Sequence, residues 1–286
     1  MKSIRKYLDK IKPNFEKGGR FQYLGSVFEG FESFLFVPNT TSKCGAHIHD
    51  AIDSKRVISF VIIALLPALI FGMYNIGYQN ALVAGRLSDA TFLGMFFYGM
   101  LQMLPKILVS YIVGLTIEFA WAQWKHEEIQ EGYLATGILI PMVIPVNCPL
   151  WCLALACAFS VIFCKEIFGG TGMNFVNPAL AARAFLFFSY PTVMSGDNCW
   201  VAKDEILGLG YQIADATTAA TPLGAIVQNP GMQIDTMAAV TGLIPGSMGE
   251  TSFIAIALGA VMLLWTGVAS WRIMLSVFVG GGITAA

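Results

Sequence analysis

The sequence is poor in charged residues, since only 12% of its 286 residues are Asp, Glu, Lys or Arg. Its formal net charge at pH 7 is −1, which argues against a nucleic acid as partner because binding to phosphates requires an excess of basic residues. By contrast, 56% of the residues are hydrophobic, with many Phe, Met and Gly. This composition is typical of a membrane protein with several spanning helices.

Cysteine motifs and a cleavable leader are also missing. The six cysteines form no Cys-x-x-Cys pair and no haem-attachment motif, and most lie in apolar segments. We therefore assign no disulfide and no iron–sulfur cluster within the chain, and a cluster shared with another protein of a complex stays an alternative. Residues 1–7 are basic and amphipathic with no apolar core after them, so we expect the N-terminus to stay on the side where it is made. His47 and His49 have no further ligand nearby, which argues against a metal site.

Basic residues concentrate at the start of the chain. Residues 1–56 contain ten of the 17 Lys and Arg residues, so the positive-inside rule predicts a cytoplasmic arm that also contacts anionic lipid. Residues 57–286 form the predicted transmembrane domain.

Apolar segments predict an all-α, polytopic helical bundle. A first span covers residues 57–74, with a kink at Pro67. Residues 91–124 are too long for one span, and we expect a break at Pro105 into segments 92–104 and 107–124. Residues 133–146 contain Pro141 and Pro145, which is typical of a broken or re-entrant helix. Further apolar helices are expected at residues 150–168, 179–190 and 253–265, polar loops at 195–213 and 224–243, and a last segment after Arg272 that is cut inside a helix.

Two charged residues lie within apolar segments. Glu118 must be paired, protonated or bound to an ion if it is deep in the membrane, or its side chain reaches the interface near Trp121 and Trp124. Arg183 lies in the middle of a predicted helix, so we expect a carboxylate, phosphate or carbonyl partner for it.

Three polar stretches are candidate ligand sites. In residues 215–223, Thr221 and Pro222 predict a helix start, and the same start could hold a phosphate. Residues 169–177 combine glycines with Asn174 and Asn177, whose amides could meet a flavin ring or could only form an Asn-Pro turn that starts the next helix. Residues 245–252 form either an anion-binding nest facing Thr221 or an ordinary capped helix entry.

These stretches carry a resemblance to a known family. Residues 215–221 are similar to the Asp-Gly-x-(Ser/Thr)-Gly-Ala-Thr pattern, with Ala216 and Ala219 where glycine is usual. Residues 165–185 and 244–250 resemble two further stretches of the proteins that contain this pattern, in the order along the chain that those proteins have. The chain thus resembles the B subunit of the sodium-translocating NADH:quinone oxidoreductase, a relative of the D subunit of the Rnf complex.

The resemblance implies a function and a set of site residues. It implies FMN bound to Thr221 through a phosphodiester, a non-covalent riboflavin, electron transfer from NADH to ubiquinone, and Na+ export across a bacterial inner membrane. It implies partner subunits (A, C, D, E and F) and a separate FMN transferase. The implied cofactor-binding residues are Asp215, Thr218, Ala220, Gly170, Asn174, Asn177, Arg183, Ser247 and Glu250; those near quinone are Gly114, Phe185 and Phe187; and Glu118 belongs to the Na+ pathway.

Some features leave room for other interpretations. Leu115 stands where the family has a second glycine beside Gly114, so the pocket there could differ in shape. The segment from Phe21 to Phe36 in the arm is a further candidate for the quinone region. The D subunit of an Rnf complex is one alternative, although the long basic arm argues against it. A channel or transporter without redox function is another, suggested by the broken helix around Pro141.

Overall fold

The computed structural model describes residues 2–16, 18–36, 44–46, 52–125, 132–214, 219–229, 231 and 233–285. Within these ranges the regular structure is helical, and no strand occurs. The helices are α1 Lys2–Ile11, α2 Gly25–Leu35, α3 Ser54–Val83, α4 Phe92–Lys125, α5 Tyr133–Met142, α6 Leu150–Phe159, α7 Pro178–Ser189, α8 Pro191–Met194, α9 Pro222–Gln228, α10 Thr236–Thr241, α11 Phe253–Trp265 and α12 Trp271–Ala285. A π-helix, Ser160–Lys165, and a 3-10 turn, Glu166–Phe168, continue α6.

Three of the described helices are long and apolar enough to cross a membrane: α3, α4 and the continuous helix Leu150–Phe168. Around them lie the shorter apolar helices α5, α7, α11 and α12. The predicted all-α membrane bundle is therefore confirmed.

Helices α3 and α4 pack so closely that glycine is required at their contact. A Cβ on Gly77 would meet the backbone of Met95, and one on Gly99 would meet the backbone of Met73. Small residues of this kind let membrane helices approach each other when the lipid offers no hydrophobic driving force. Helix α11 approaches the other side of α3 in the same way, with Gly259 against the backbone of Ala64.

The predicted break at Pro105 is wrong, because α4 runs through it without interruption. A proline removes one backbone hydrogen bond, whereas ending a helix within the bilayer would leave several polar groups unsatisfied. The predicted end of the first span at residue 74 is also too early. Helix α3 continues to Val83, because its polar residues Asn75 and Asn80 are buried by bonds to loops rather than exposed to water.

The predicted broken helix in residues 133–146 is confirmed, since α5 ends at Met142 and residues 143–149 are not helical, although Pro141 itself lies within α5. Other parts of the chain satisfy the freed backbone groups there. Lys106 Nζ donates to the Val146 carbonyl at 2.5 Å. The Asn147 amide donates to the Cys199 carbonyl at 3.3 Å. In the other direction, Asn147 Nδ2 donates to the carbonyls of Asn198 and Val201, at 2.8 and 2.7 Å.

A second irregular segment, residues 243–252, packs against the end of α5. The Gly249 amide donates to the Met142 carbonyl at 2.9 Å, and the Ser247 hydroxyl donates to the Val143 carbonyl at 3.4 Å. The preceding stretch, residues 224–243, was expected to be irregular, but it contains α10 and most of α9. Helix α10 forms because the Asp235 side chain caps its start and Gly242 ends it in the left-handed conformation.

Candidate functional site

Thr221 is the N-cap of α9, as the sequence predicts. Its Oγ1 accepts a hydrogen bond from the Gly224 amide at 3.2 Å, and Pro222 occupies the first helical position. The Thr221 side chain is partly exposed, and among the described residues its hydroxyl donates to no acceptor. Replacement of the hydroxyl proton by another group would therefore leave the cap intact.

A loop at one end of the bundle holds the Thr221 turn. The Ala219 amide donates to the Asp197 carbonyl at 3.0 Å, and Gln228 Nε2 donates to Asp197 Oδ2 at 2.9 Å. Asp197 belongs to the loop of residues 195–213, which was predicted to be polar and irregular and is not helical. Ala220, which precedes Thr221, is partly buried, whereas Asp215 and Thr218 lie outside the described residues.

This loop is bonded to the end of α3 that is remote from the basic arm. Buried Asn80 donates to the carbonyls of Ala202 and Tyr211, at 2.8 and 2.9 Å. The Tyr98 hydroxyl, near the start of α4, donates to the Asp204 carbonyl at 2.6 Å. Helix α3 is about 45 Å long at 1.5 Å per residue. The Thr221 turn and the arm are therefore at opposite ends of α3.

The glycine loop of residues 169–177 is shaped by its asparagines. Gly170 has a φ of 90°, a value that favours glycine. Asn174 accepts from the Gly172 amide at 3.2 Å and donates to the Val176 carbonyl at 3.0 Å. Asn177 Oδ1 caps α7 by accepting from the Ala179 amide at 2.9 Å. The Asn-Pro helix start is thus present, and a flavin could use only groups that these bonds leave over.

Glu118 is buried against Lys165, and the two side chains form an ion pair. Each side chain is 3% exposed, so Glu118 lies inside the bundle and does not reach the interface. Glu118 Oε2 and the nearby Trp121 Nε1 are buried without a hydrogen-bond partner in the described part of the chain. The sequence interpretation missed Lys165 as the partner, although an apolar span that contains a lysine should have suggested a search for a buried acid.

Arg183 has a carboxylate partner, which is one of the three kinds of partner expected from the sequence. Its guanidinium forms an ion pair with Glu250, which lies in the irregular segment of residues 243–252. The structure therefore brings together two of the predicted cofactor-binding residues, from α7 and from the entry to α11. Ser247 is buried at the end of α5, and two amides of this segment, those of Gly249 and Glu250, already donate to protein carbonyls.

The predicted quinone residues do not share one surface. The space beside Gly114 is filled by the ring of Tyr133. Phe185 stacks on Phe159, with ring centroids 4.5 Å apart, and faces the core. Phe187, on the other side of α7, is 50% exposed.

Groups of three or more metal-binding side chains do not occur in the described ranges, which leave out His47 and His49. A cation held by the described residues would therefore use fewer such side chains together with backbone oxygens.

Comparison with known proteins identifies the relatives of this chain. A family model described as the NQR2, RnfD, RnfE family matches residues 41–286. The B subunit of the Na+-translocating NADH-quinone reductase of Chromohalobacter salexigens is 40% identical over 306 residues, which cover 99% of this chain and 72% of that protein. The corresponding protein of Pseudoalteromonas atlantica is 38% identical, covering 98% and 73%, and that of Azotobacter vinelandii is 40% identical, covering 97% and 72%.

Proposed function

Because the chain belongs to the NQR2, RnfD and RnfE family, we propose that it is the membrane flavoprotein subunit of a sodium-pumping NADH:quinone oxidoreductase. In this proposal the protein lies in a bacterial inner membrane, passes electrons from its partner subunits (A, C, D, E and F) to ubiquinone, and couples this transfer to Na+ export. The observation that carries the proposal is the similarity to B-subunit proteins over nearly the whole of this chain, together with the partly exposed, capped turn at Thr221.

Thr221 is the residue that would hold FMN. Its side chain is partly exposed, and its Oγ1 acts only as a hydrogen-bond acceptor in the described structure. An ester bond to phosphorus would therefore replace a hydroxyl proton that donates no hydrogen bond there. A bound flavin would supply the electron transfer, and a covalent link spares the complex the entropy of rebinding it in each cycle. In this proposal a separate transferase attaches the flavin, as the resemblance to the family implies.

The position of the Thr221 turn supports a proposal about which face of the membrane carries the flavin. The basic arm favours the cytoplasm, and the Thr221 turn is bonded to the far end of α3. The covalent flavin and its transferase are therefore expected at the face opposite the arm. Leu223 and Val227, which are 74% and 75% exposed on α9, offer an apolar surface for the ring or for a partner subunit.

The other cofactor and substrate sites follow the family pattern. Riboflavin would lie against the loop of Gly170, where the amide nitrogen of Asn177 is not used by its capping bond. Glu118 would be a step on the Na+ route, because it is a buried carboxylate with one oxygen unpartnered in the described structure. Of the three quinone residues on the membrane helices, Phe187 presents an exposed ring, whereas Gly114 and Phe185 would contribute after Tyr133 or neighbouring rings move.

Two other functions make different predictions. The D subunit of an Rnf complex would pass electrons between ferredoxin and NAD, and would bind FMN at the same threonine. A channel or transporter without redox function is suggested by the interrupted helix α5 and would bind no flavin. Flavin fluorescence of the denatured protein separates the transporter from the two redox proteins, and the dependence of quinone reduction on NADH separates these two.

The experiment replaces Thr221 by Val in the complex, made together with its transferase. We expect the fluorescent flavin band of this protein to disappear and quinone reduction to stop, while the complex still assembles, because loss of a cap costs only about 1 kcal/mol. Thr241→Val is the matched control, since Thr241 is a hydroxyl residue on a short helix whose bonds are to carbonyls of its own helix. A persistent fluorescent band in Thr221→Val would show that another residue carries the flavin.

A further inference from the structure

Three charged groups meet where α4 contacts the end of the continuous helix Leu150–Phe168. Lys165 forms an ion pair with Glu118, and its Nζ also lies 3.7 Å from Glu166 Oε1. The Glu118 and Lys165 side chains are each 3% exposed, and that of Glu166 is 13% exposed. Two carboxylates thus share one ammonium group in a nearly water-free place, and the three groups sum to one negative charge.

The pairing leaves Glu118 only half satisfied. Its Oε1 accepts from Lys165, whereas Oε2 is buried without a partner in the part of the chain that the structure describes. A buried pair with a purely structural role needs hydrogen bonds to its remaining lone pairs to offset the cost of desolvation. An unpartnered carboxylate oxygen beside a net negative charge is instead what a monovalent cation with a preference for oxygen ligands requires.

Charge balance sets the condition for such a cation to bind. If Lys165 stays on Glu118, a cation at the same carboxylate faces an ammonium group at short range, and this repulsion is strong in a low dielectric. If Lys165 moves to Glu166, the ammonium group is farther from the bound ion, and each of the two carboxylates keeps a cation beside it. Glu166 is therefore an alternative ion-pair partner for the ammonium group of Lys165.

The helix that carries Lys165 is irregular at this point. Ser160–Lys165 is a π-helix, and the chain then continues through the turn Glu166–Phe168 to Gly169, which has a φ of 103°. π-helical segments are frequent at functional sites, and their looser hydrogen bonding allows small changes of register. Lys165 thus stands at a position where a short displacement does not require a regular helix to be broken.

We propose that Lys165 is a tethered counter-ion that occupies Glu118 until the transported cation displaces it toward Glu166. This inference rests on the proposed function, in which Glu118 is a step on the Na+ route. Lys165 is a positioning residue, because it controls when the carboxylate is open to the ion and does not itself bind the ion.

The test is an NaCl titration of quinone reduction by the purified complex, with KCl keeping the ionic strength constant. Lys165→Met removes the competing charge, so the half-saturating Na+ concentration should fall about tenfold, within the usual range of coupling between sites. Lys165→Arg should raise it several-fold, because a guanidinium group binds both oxygens of a carboxylate and leaves it less readily. The opposite directions separate competition from general damage to the complex.

Thermal unfolding gives a second readout that does not depend on turnover. In Lys165→Met, Na+ replaces the missing charge beside Glu118, so NaCl should raise the Tm above its value in KCl by more than it does in the wild type. The matched control is Lys125→Met. Lys125 lies on α4 beyond Glu118, is exposed, and stacks on the Trp121 ring, and its replacement should leave the half-saturating Na+ concentration unchanged.

Unchanged half-saturation in both variants, or a shift in the same direction, would overturn the proposal. If Lys165→Met does not assemble, Lys165→Arg decides alone, and a half-saturation at or below the wild-type value refutes the competition. Failure of the proposed function has a different signature, since the wild-type protein would then lack flavin fluorescence and quinone reduction. The Na+-specific change in Tm still tests Lys165 in that case.

Discussion

Asn80 fastens the loop that carries the Thr221 turn to the end of α3. Its side chain is fully buried and makes three hydrogen bonds to the loop backbone. Nδ2 donates to the carbonyls of Ala202 and Tyr211, at 2.8 and 2.9 Å, and Oδ1 accepts from the Tyr211 amide at 2.8 Å. Asn80→Ala therefore removes the partner of three backbone groups of the loop, of which the Ala202 carbonyl is buried and the two of Tyr211 are partly buried.

The expected cost follows from these bonds. At about 1 kcal/mol of net stability for each hydrogen bond, the loop should lose about 3 kcal/mol against local opening. Since 1.4 kcal/mol corresponds to a factor of ten in an equilibrium constant, the opened population should rise about a hundredfold. The loss should be confined to the loop, because the packing of α3 against α4 depends on other residues.

Hydrogen exchange of the purified complex measures this directly. Peptides from residues 198–214 should exchange about a hundred times faster in Asn80→Ala, with α6 and α7 unchanged. Gln79→Ala is the matched control, because the buried Gln79 side chain donates to Asn75 on the same helix. Equal protection of the loop in Asn80→Ala and wild type would refute the claim that α3 holds the Thr221 turn in place.

Two further predictions concern Glu118 and Cys199. Glu118→Gln should weaken the dependence of turnover on Na+, and the complex should still assemble because Lys165 keeps Glu166 as a partner. The control is Glu16→Gln, at an exposed position in the arm. An unchanged Na+ titration in Glu118→Gln would remove Glu118 from the mechanism. Burial raises the pKa of Cys199, in the loop of residues 195–213, to about 11, so at pH 8 only about a thousandth of it is thiolate. Maleimide should therefore modify exposed Cys44 first, and Cys199 at a rate that rises with pH; rapid modification of Cys199 at pH 8 would contradict its burial.

Local chemistry made the start of α9 and the interruption after α5 predictable. Thr221 followed by Pro222 specifies a capped helix start without help from the rest of the chain. Pro141 and Pro145 each remove a backbone hydrogen bond, so an interruption within residues 133–146 could be expected, although the helix ends only at Met142, after Pro141. These features depend on neighbours in the sequence.

Long-range pairing could not be predicted in this way. Lys165 and Glu118 are 47 residues apart, and each alone indicates only that a charge needs a partner. The need of Arg183 for an anion was evident, but Glu250 is 67 residues away and was assigned to a cofactor instead. The predicted break at Pro105 was wrong because it relied on the local preference of one residue. In lipid, the hydrogen bonds of the surrounding helix outweigh that preference.

The mass of the peptide that contains Thr221 tests the central claim most directly. The protein should be made with its transferase, digested, and compared with Thr221→Val made in the same way. We expect the wild-type peptide to be heavier by one FMN less one water, with the added group on Thr221, and the variant peptide to be unmodified. An unmodified wild-type peptide would contradict the proposal that this turn carries a covalent flavin.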